Sequence, residues 1–473
     1  MSEDNSLCYI GASEALSRFK ARTLSPVELM QSIISRSEAI NTKINAFSAT
    51  YYDRALEQAR KAEATYASRS RDARPLEGIP VAIKDFHPVA GEVTTYGSVA
   101  LADHRPTFTA PTVERLLDAG AIMHCRTTTP EFAIGLITHS KLWGVTRNPW
   151  NLDYSPAGSS GGAAAAVAAG MTTIADGTDS GGSIRAPASA CGIFGFLPPY
   201  GRNPLDRNFL FESLLRYGPL TRGVADAALM QNVMSGVHAE DPSTVRDVVV
   251  LPERFEPLKG MKIALSIDLG FYEVDKEVDA AVRNAAKAFS EMGCSVEEVS
   301  LGWTEDIAHA MNAYVEYLVH SSSADLLPKW ERELSPHIKS LIERGSKLKA
   351  SAVAGFSATR RSMYEAFRPI VENYDLLLCP TLAAPGVLAR HDSMDKNFSI
   401  NGKPVGAYLE WGLTYPFNML SYLPVSSVPC GFTGAGVPIG MQIVGRPFDD
   451  VSVFRASAAF ESARPWQKRR PQL

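Results

Sequence analysis

Short apolar runs bounded by glycine and proline alternate with helical patterns through much of this chain, and this alternation constrains its fold most strongly. The apolar run 79–83 is followed by a helical pattern near 111–119 and by a second apolar run at 121–123. The same pattern returns after residue 225 in the segments 261–266, 277–292, 294–300, 376–379, 426–429 and 439–444. Strands alternating with helices predict a mixed, largely α/β core.

Other segments are predicted to be helical. In residues 11–70, apolar side chains recur at three- and four-residue spacing, and Ser25-Pro26 followed by Glu28 is typical of a helix start. Residues 303–373 show a helical pattern that is polar on one face. The glycine-rich stretch 157–195 resembles a linker in composition, but its small apolar residues 163–169 favour a close-packed buried helix.

Composition and charge argue against several classes of function. A net charge of -4 gives no basic field that would favour nucleic acid or an anionic membrane as a partner. The first residues show no apolar stretch after a basic flank, so we expect neither a secretory signal nor a membrane anchor, and a cytoplasmic location. The six cysteines form no CxxC pair, so we expect no disulfide framework. The histidines show no HxH or HExxH spacing, and we expect neither a metal nor a cofactor.

Lys84 is the first residue with a candidate chemical role. It ends the apolar run 79–83, and a lysine in such a place is more often a strand-terminal residue that reaches for water. A functional role requires burial, which lowers the pKa of a lysine so that it can accept a proton near neutral pH. The sequence around Lys84 leaves both interpretations open.

Two glycine- and serine-rich segments, 157–162 and 177–185, carry the other candidate residues. One such segment alone usually forms a turn, but here both are joined directly to apolar or small-residue runs. Glycine allows close backbone approach, so the N–H groups of 180–183 could converge on a developing oxyanion. A serine nucleophile needs a base, and a lysine with a bridging serine can replace histidine in that role.

The Gly-Ser-Ser-Gly-Gly segment at 158–162 and the Gly-Thr-Asp-Ser-Gly-Gly-Ser-Ile-Arg segment at 177–185 resemble the amidase signature family. Ser159 lies 75 residues after Lys84, and Ser183 lies 24 residues after Ser159, as in that family's Lys, cis-Ser and Ser triad. The resemblance covers roughly residues 10–460 and includes further matching segments at 94–98, 146–151, 218–220, 428–431 and 440–447.

This resemblance implies the amidase signature fold, an α/β architecture with a mixed central β-sheet flanked by α-helices on both faces. We expect an N-terminal helical segment, residues 1–70, packed on an amidase signature domain over residues 71–466. Together they are expected to form one compact domain.

The resemblance also implies roles for individual residues. Ser183 would be the nucleophile, Ser159 the bridging serine in a cis peptide, and Lys84 the general base. The expected donors of the oxyanion hole are the backbone N–H groups of Ser180, Gly181, Gly182 and Ser183.

Further residues are expected to support the loop and the substrate pocket. Asp179 and Arg185 would brace the loop that carries the nucleophile. Tyr96, Phe209 and Phe211 are the candidates for lining the pocket, and their aromatic character favours a hydrophobic substrate.

Two functions follow from the resemblance. The leading hypothesis is a stand-alone hydrolase of small-molecule carboxylic amides, with aryl amides, esters and carbamates (urethanes) also within reach of a lysine–serine relay. The alternative is an amidotransferase A-type subunit, which releases ammonia from glutamine for a partner acting on tRNA. A non-catalytic binding module is disfavoured because all three triad positions are present.

A homodimer is compatible with the resemblance, whereas nucleic-acid and membrane partners are not expected.

Overall fold

The structure is a computed structural model that describes residues 6–68 and 73–473. Its helices are α1 (Ala12–Ala21), α2 (Pro26–Ile44), α3 (Tyr52–Ala67), α4 (Pro111–Asp118), α5 (Gly161–Ala168), α6 (Arg185–Cys191), α7 (Val224–Met234), α8 (Lys276–Glu291), α9 (Asp306–Ser323), α10 (Leu327–Trp330), α11 (Pro336–Gly345), α12 (Ala350–Asn373), α13 (Tyr415–Met419) and α14 (Asp450–Ala463). Its strands are β1 (Phe47–Thr50), β2 (Pro80–Lys84), β3 (Ile122–Thr127), β4 (His139–Ser140), β5 (Gly144–Val145), β6 (Ile174–Asp179), β7 (Phe194–Leu197), β8 (Arg216–Thr221), β9 (Lys262–Leu265), β10 (Ser295–Glu298), β11 (Leu376–Pro380), β12 (Ser399–Ile400), β13 (Lys403–Pro404), β14 (Val425–Phe432) and β15 (Pro438–Gly445).

Eleven of these strands form one mixed sheet, in the order β1-β3-β2-β6-β8-β7-β14-β15-β11-β9-β10. The strands β3, β2 and β6 are parallel to one another, as are β11, β9 and β10. The pairings between these two groups, from β6 to β11, are antiparallel. The prediction of a mixed α/β fold is confirmed.

Helices cover both faces of the sheet, as the alternation of buried side chains along each strand shows. On β2, Val81 and Ile83 pack with residues of α1, α2 and α4, whereas Ala82 packs with the alanines of α5. On β11, Leu376 and Leu378 pack with α8 and α14, whereas Leu377 packs with α9, α11 and α12. The core therefore consists of apolar layers on either side of the sheet.

The N-terminal segment is largely helical, and its second helix begins with a complete capping box. The Ser25 hydroxyl accepts the N–H of Val27, Pro26 is the first helical residue, and Glu28 accepts the Ser25 N–H at 2.8 Å. The segment also contributes β1, which pairs antiparallel with β3 and which the helical pattern did not predict. The predicted boundary between residues 70 and 71 lies outside the described residues.

The predicted helix after Ser159 is α5, in which every residue from Gly161 to Ala168 is buried. Its small side chains let it contact the strands β2, β6 and β8 closely, which places the loop before it at the sheet edge. Within residues 6–68 and 73–473, none of the helices is both long and apolar enough to cross a membrane.

Candidate active site

The sheet brings the three predicted segments together at one edge. Lys84 ends β2 and Asp179 ends β6, and because these strands are parallel neighbours, their carboxyl ends lie side by side. Ser159 lies in the loop before α5, where the Gly158–Ser159 peptide bond is cis. Ser183 lies in the loop between β6 and α6.

Hydroxyl groups surround the Lys84 side chain. Its Nζ atom lies 2.7 Å from Ser159 Oγ, 2.9 Å from Ser160 Oγ and 2.7 Å from Thr178 Oγ1. Lys84 and Ser159 are fully buried. No carboxylate oxygen of the described residues lies within 4.0 Å of this nitrogen, so the lysine has polar partners but no direct counter-ion.

This environment changes the proton affinity of Lys84. Burial lowers its pKa from 10.5 to about 7, because an ammonium ion loses its hydration in the interior. The carboxyl groups of Asp176 and Asp179 act in the opposite direction and raise the pKa, but by less than burial lowers it. Burial therefore shifts the protonation equilibrium of Lys84 toward the uncharged amine.

Ser183 lies nearer to the surface than the other two residues, with 9% of its area exposed. Its carbonyl oxygen accepts the backbone N–H of Ser160 at 3.2 Å, which ties the two glycine-rich loops together. Its hydroxyl makes no hydrogen bond to any described residue, Ser159 included.

Asp179 and Arg185 form a buried ion pair beneath the Ser183 loop. The Arg185 guanidinium donates to both carboxylate oxygens of Asp179 at 3.0 Å. It also donates to the Thr414 carbonyl oxygen at 2.9 Å, to Gln442 Oε1 at 2.7 Å and to Asn418 Oδ1 at 2.6 Å. The pair thereby joins the loop to the C-terminal half of the chain.

The four predicted oxyanion-hole amides do not have equivalent surroundings. The Gly182 N–H donates to Asp179 Oδ1 at 2.6 Å, so it is already engaged. The N–H groups of Ser180, Gly181 and Ser183 donate to no atom in the part of the chain that the structure describes. Three of the four predicted amides therefore have N–H groups that are not engaged by other described residues.

Thr414 fixes the backbone of this loop from the opposite side. Its hydroxyl donates to the Gly181 carbonyl oxygen at 2.6 Å. A β-carbon on Gly182 would lie 2.0 Å from Thr414 Oγ1, and the Gly182 φ angle is +127°. Position 182 therefore requires glycine for two independent reasons.

The three predicted pocket residues are in different environments. The ring centroid of Phe86 lies 5.7 Å from Lys84 Nζ. The Phe86 ring packs against the rings of Tyr96 and Phe209, with 5.2 Å and 4.9 Å between ring centroids. Phe211 is instead 73% exposed. Two of the candidates thus belong to an aromatic cluster beside Lys84, and the third lies at the surface.

A cavity of about 280 Å³ lies behind the Ser159 loop. Its wall includes the apolar side chains of Ile134 and Ile137 and the imidazoles of His139 and His337. The Ile137 backbone also packs against Gly158, where an added β-carbon would lie 2.4 Å from the Ile137 oxygen. The cavity and the Ser159 loop therefore share Ile137 as a common wall.

Sequence reasoning missed several residues that complete the site. Ser160 and Thr178 were within the recognised motifs but were given no contact to Lys84. Asp176 and His87, which lie behind the lysine, gave no separate signal. Among the described residues, no cluster of three or more His, Cys, Asp or Glu side chains could hold a metal ion.

The fold and the enclosed lysine with its two serine-bearing loops define a class of hydrolases that act on amide C–N bonds. The family model for amidases matches residues 28–454, and the chain belongs to this family. Among curated proteins, an acylamidase of Rhodococcus erythropolis is 35% identical over 485 residues, covering 100% of this chain and 98% of the relative. The A-type subunit of the glutamyl-tRNA(Gln) amidotransferase of Moorella thermoacetica is 36% identical over 499 residues, with 99% of each chain covered.

Solved structures of both kinds of relative superpose on almost the whole chain. A bacterial aryl acylamidase of the amidase signature family superposes with a TM-score of 0.91 at 31% identity, covering 97% of both chains. The corresponding glutamyl-tRNA(Gln) amidotransferase subunit of Thermotoga maritima gives a TM-score of 0.75 at 29% identity, covering 97% of this chain and 96% of the other. The prediction of an amidase signature enzyme is confirmed.

Proposed function

We propose that this chain is a stand-alone amidase that hydrolyses small-molecule carboxylic amides through an acyl-enzyme on Ser183. The observation that carries the proposal is the buried Lys84 amine, which is held by three hydroxyls and has no direct counter-ion. A lysine in that environment can act as a general base near neutral pH.

The three hydroxyls suit both protonation states of Lys84. As a neutral amine, Nζ has one lone pair and two N–H donors, so it can accept the Ser159 O–H and donate to Ser160 and Thr178. As an ammonium ion it has three N–H donors, which match the same three oxygen atoms. The base can therefore gain and lose a proton without rearrangement of its partners.

The first half-reaction forms the acyl-enzyme. Ser159 gives its proton to Lys84 and takes the proton of Ser183, whose Oγ attacks the carbonyl carbon of the substrate. The negative charge on the carbonyl oxygen is stabilised by free backbone N–H groups among Ser180, Gly181 and Ser183. The C–N bond then breaks, and the proton returns through the same relay to the leaving nitrogen.

The second half-reaction releases the acid. Water gives a proton to the relay and attacks the acyl carbon, and the ester bond to Ser183 Oγ breaks as that oxygen regains a proton. No cofactor takes part in either half-reaction. Esters and carbamates present the same carbonyl carbon to Ser183, so the relay alone does not select among them.

Two observations support an independent acylamidase. The backbone superposes much better on the aryl acylamidase than on the amidotransferase chain, although the sequence identities are similar. The aromatic cluster of Phe86, Tyr96 and Phe209 beside Lys84 also favours a substrate with an apolar group. The proposed substrates are therefore aryl amides first, with aryl esters and carbamates as related substrates.

The second candidate function is an amidotransferase A-type subunit that supplies ammonia from glutamine to a partner. It is favoured by the 36% identity to the Moorella protein over almost the whole chain. Because such a subunit works with other chains, its activity on glutamine should depend on their presence.

A panel of four substrates distinguishes the two functions. The purified chain and Ser183→Ala are assayed with an aryl amide, an aryl ester, an aryl carbamate and glutamine. Aryl amide turnover that disappears in Ser183→Ala supports the stand-alone amidase. Slow glutamine cleavage with no aryl activity would contradict it and favour the amidotransferase function. Full activity of Ser183→Ala would exclude both mechanisms.

A further inference from the structure

A buried carboxyl group lies directly behind the proposed base. Asp176 is fully buried on β6, and its Oδ1 accepts the backbone N–H of Lys84 at 2.7 Å. Thr178, two residues further along the same strand, contacts Lys84 Nζ through its hydroxyl. Strand β6 therefore holds both the Asp176 carboxyl and a hydroxyl partner of the amine in fixed positions relative to Lys84.

The second oxygen of Asp176 faces a buried histidine. Asp176 Oδ2 lies 3.2 Å from His87 Nε2, and both side chains are fully buried. The two atoms are within reach of each other but are not aligned for a hydrogen bond, and neither has another hydrogen-bond partner among the described residues. The His87 ring also packs edge-on against Tyr217, with 4.3 Å between centroids.

The other carboxyl groups near Lys84 have stronger partners. Asp179 is held by the guanidinium of Arg185 at 3.0 Å, and Asp85 lies 3.9 Å from Arg126. Among the described residues, Asp176 has no ion-pair partner other than the His87 imidazole, although its Oδ1 accepts the Lys84 backbone N–H. The titratable and charged groups that face Asp176 are Lys84 on β2, His87 after β2, and Cys125 and Arg126 on β3. Asp179 on β6 acts on Lys84, and Tyr217 on β8 packs against His87.

We propose that Asp176 and His87 form a positioning pair that sets whether Lys84 holds its proton, with His87 acting through Asp176. An ionised carboxylate favours the ammonium form of a nearby lysine, whereas a neutral carboxylic acid favours the amine. This inference rests on the proposed role of Lys84 as the base.

The protonation behaviour of the groups is consistent with this arrangement. Burial raises the pKa of Asp176 to about 7, the same value to which burial lowers the pKa of Lys84. Burial thus moves the two pKa values toward each other, and the protonation equilibria of the two neighbouring groups are coupled. Burial holds the pKa of His87 well below its usual value, so an uncharged imidazole lies 3.2 Å from the Asp176 carboxyl.

The test follows the reactivity of Ser183 without needing the natural substrate. Phenylmethanesulfonyl fluoride reacts with an activated serine, forming an O–S bond as fluoride leaves, and intact mass gives the rate of labelling. This rate is measured from roughly pH 5 to pH 9 for the wild type, Asp176→Asn, His87→Gln and the double variant. Asparagine keeps the acceptor for the Lys84 N–H and removes the ionisable group.

Removal of the negative charge should make Lys84 easier to deprotonate. In the plot of labelling rate against pH, the rate falls on the acid side, and we expect the midpoint of this fall to move to lower pH by at least about half a unit in Asp176→Asn. His87→Gln should move it in the same direction by less, because a carboxylate without its imidazole neighbour is more readily protonated. The double variant should match Asp176→Asn, since His87 acts only through Asp176.

Asp450→Asn is the matched control, since Asp450 is also buried, pairs with Arg202 at 3.1 Å, and belongs to a different part of the fold. Its midpoint should equal that of the wild type. A midpoint unchanged to within about 0.2 units in folded Asp176→Asn would overturn the proposal. If that variant does not fold, an unchanged midpoint in His87→Gln would do so, as would a shift by His87→Gln in the Asp176→Asn background.

Lys84→Met separates this inference from the proposed function. Labelling of Lys84→Met at the wild-type rate would remove Lys84 as the base, and both proposals would fail. Loss of labelling in Lys84→Met together with an unchanged midpoint in Asp176→Asn would leave the proposed function intact and overturn only the positioning pair.

Discussion

Two buried basic side chains flank the Ser183 loop, and the protein surrounds them in opposite ways. Arg185 contacts a carboxylate, two amide oxygens and a carbonyl oxygen, all within 3.0 Å. Lys84 contacts three hydroxyl groups and no carboxylate. The two side chains are equally buried. Arg185 nevertheless carries a permanent charge that supports the loop, whereas Lys84 is an amine of lowered pKa.

The difference shows that the basicity of the side chain and the chemistry of its partners, rather than burial alone, determine what a buried cation does. An anion next to Arg185 compensates for lost hydration, so the charge remains and contributes to structure. Hydroxyls next to Lys84 stabilise both the charged and the neutral form, so the proton can be exchanged. The comparison can be tested by removing each cation in turn.

The largest expected effect is on catalysis in Lys84→Met. Without the base, Ser183 loses its proton acceptor, and we expect kcat/KM for an aryl amide to fall by about 10³-fold or more. Far-UV circular dichroism should show an unchanged fold. Activity within tenfold of the wild type would show that Lys84 is not the general base.

The second effect is on stability in Arg185→Met. This change leaves Asp179 buried without its cation, and we expect the free energy of unfolding to fall by about 3–5 kcal/mol. Urea unfolding measures it. Arg185→Lys keeps the charge but loses the planar fork, so it should restore only part of the stability. If Arg185→Met were as stable as the wild type, Arg185 would not support the loop as described.

A third effect is the pH dependence of stability. The folded-state pKa of Lys84 is about 7 and its ordinary value is 10.5. Below pH 7 both the folded and the unfolded state carry the proton, so the full cost of burying the charge destabilises the fold. Between these values only the unfolded state carries it, so stability rises with pH over this window.

The Lys84→Met variant has no titratable group at position 84, so it is the control for this pH dependence of stability. The free energy of unfolding of the variant, relative to that of the wild type, should be highest below pH 7 and should decrease as the pH rises toward 10. Urea unfolding of both proteins across this range measures the difference. A difference that does not change with pH would mean that Lys84 has the same pKa folded and unfolded.

The smallest expected effects separate the predicted pocket residues. Phe209→Ala removes the ring stacked on Phe86 beside Lys84, and it should change both KM for aryl substrates and stability. Phe211→Ala removes a side chain that is 73% exposed and should change stability by less than about 0.5 kcal/mol. Equal changes in KM from both substitutions would contradict the distinction between these two residues.

The local parts of the fold could be predicted from the sequence because their signals are local. The small-residue run of α5, the apolar run of β2 and the capping box of α2 each depend on neighbouring residues. Strand β8 was not predicted as a strand, and Pro219 within it would argue against a central position in a sheet. It nevertheless lies between β6 and β7, because long-range antiparallel pairing determines its position.

The candidate site likewise contains residues that could be identified from the sequence and contacts that could not. Lys84, Ser159 and Ser183 could be selected from motif and spacing, but the partners of Arg185 could not. Thr414 and Gln442 are 229 and 257 residues away in the chain, and only the sheet topology brings them to the loop. The engagement of the Gly182 N–H by Asp179 also depends on the loop conformation, which composition does not specify.

The most direct test of the central claim is the site and rate of acylation by 4-nitrophenyl acetate. The reaction is quenched during the first turnover, and peptide mass mapping locates and quantifies the acetyl group. We predict that the acetyl group is found on Ser183 in the wild type and is nearly absent from Lys84→Met at neutral pH. Acetylation of Ser183 at an undiminished rate in Lys84→Met, or acetylation of a different residue in the wild type, would contradict the claim.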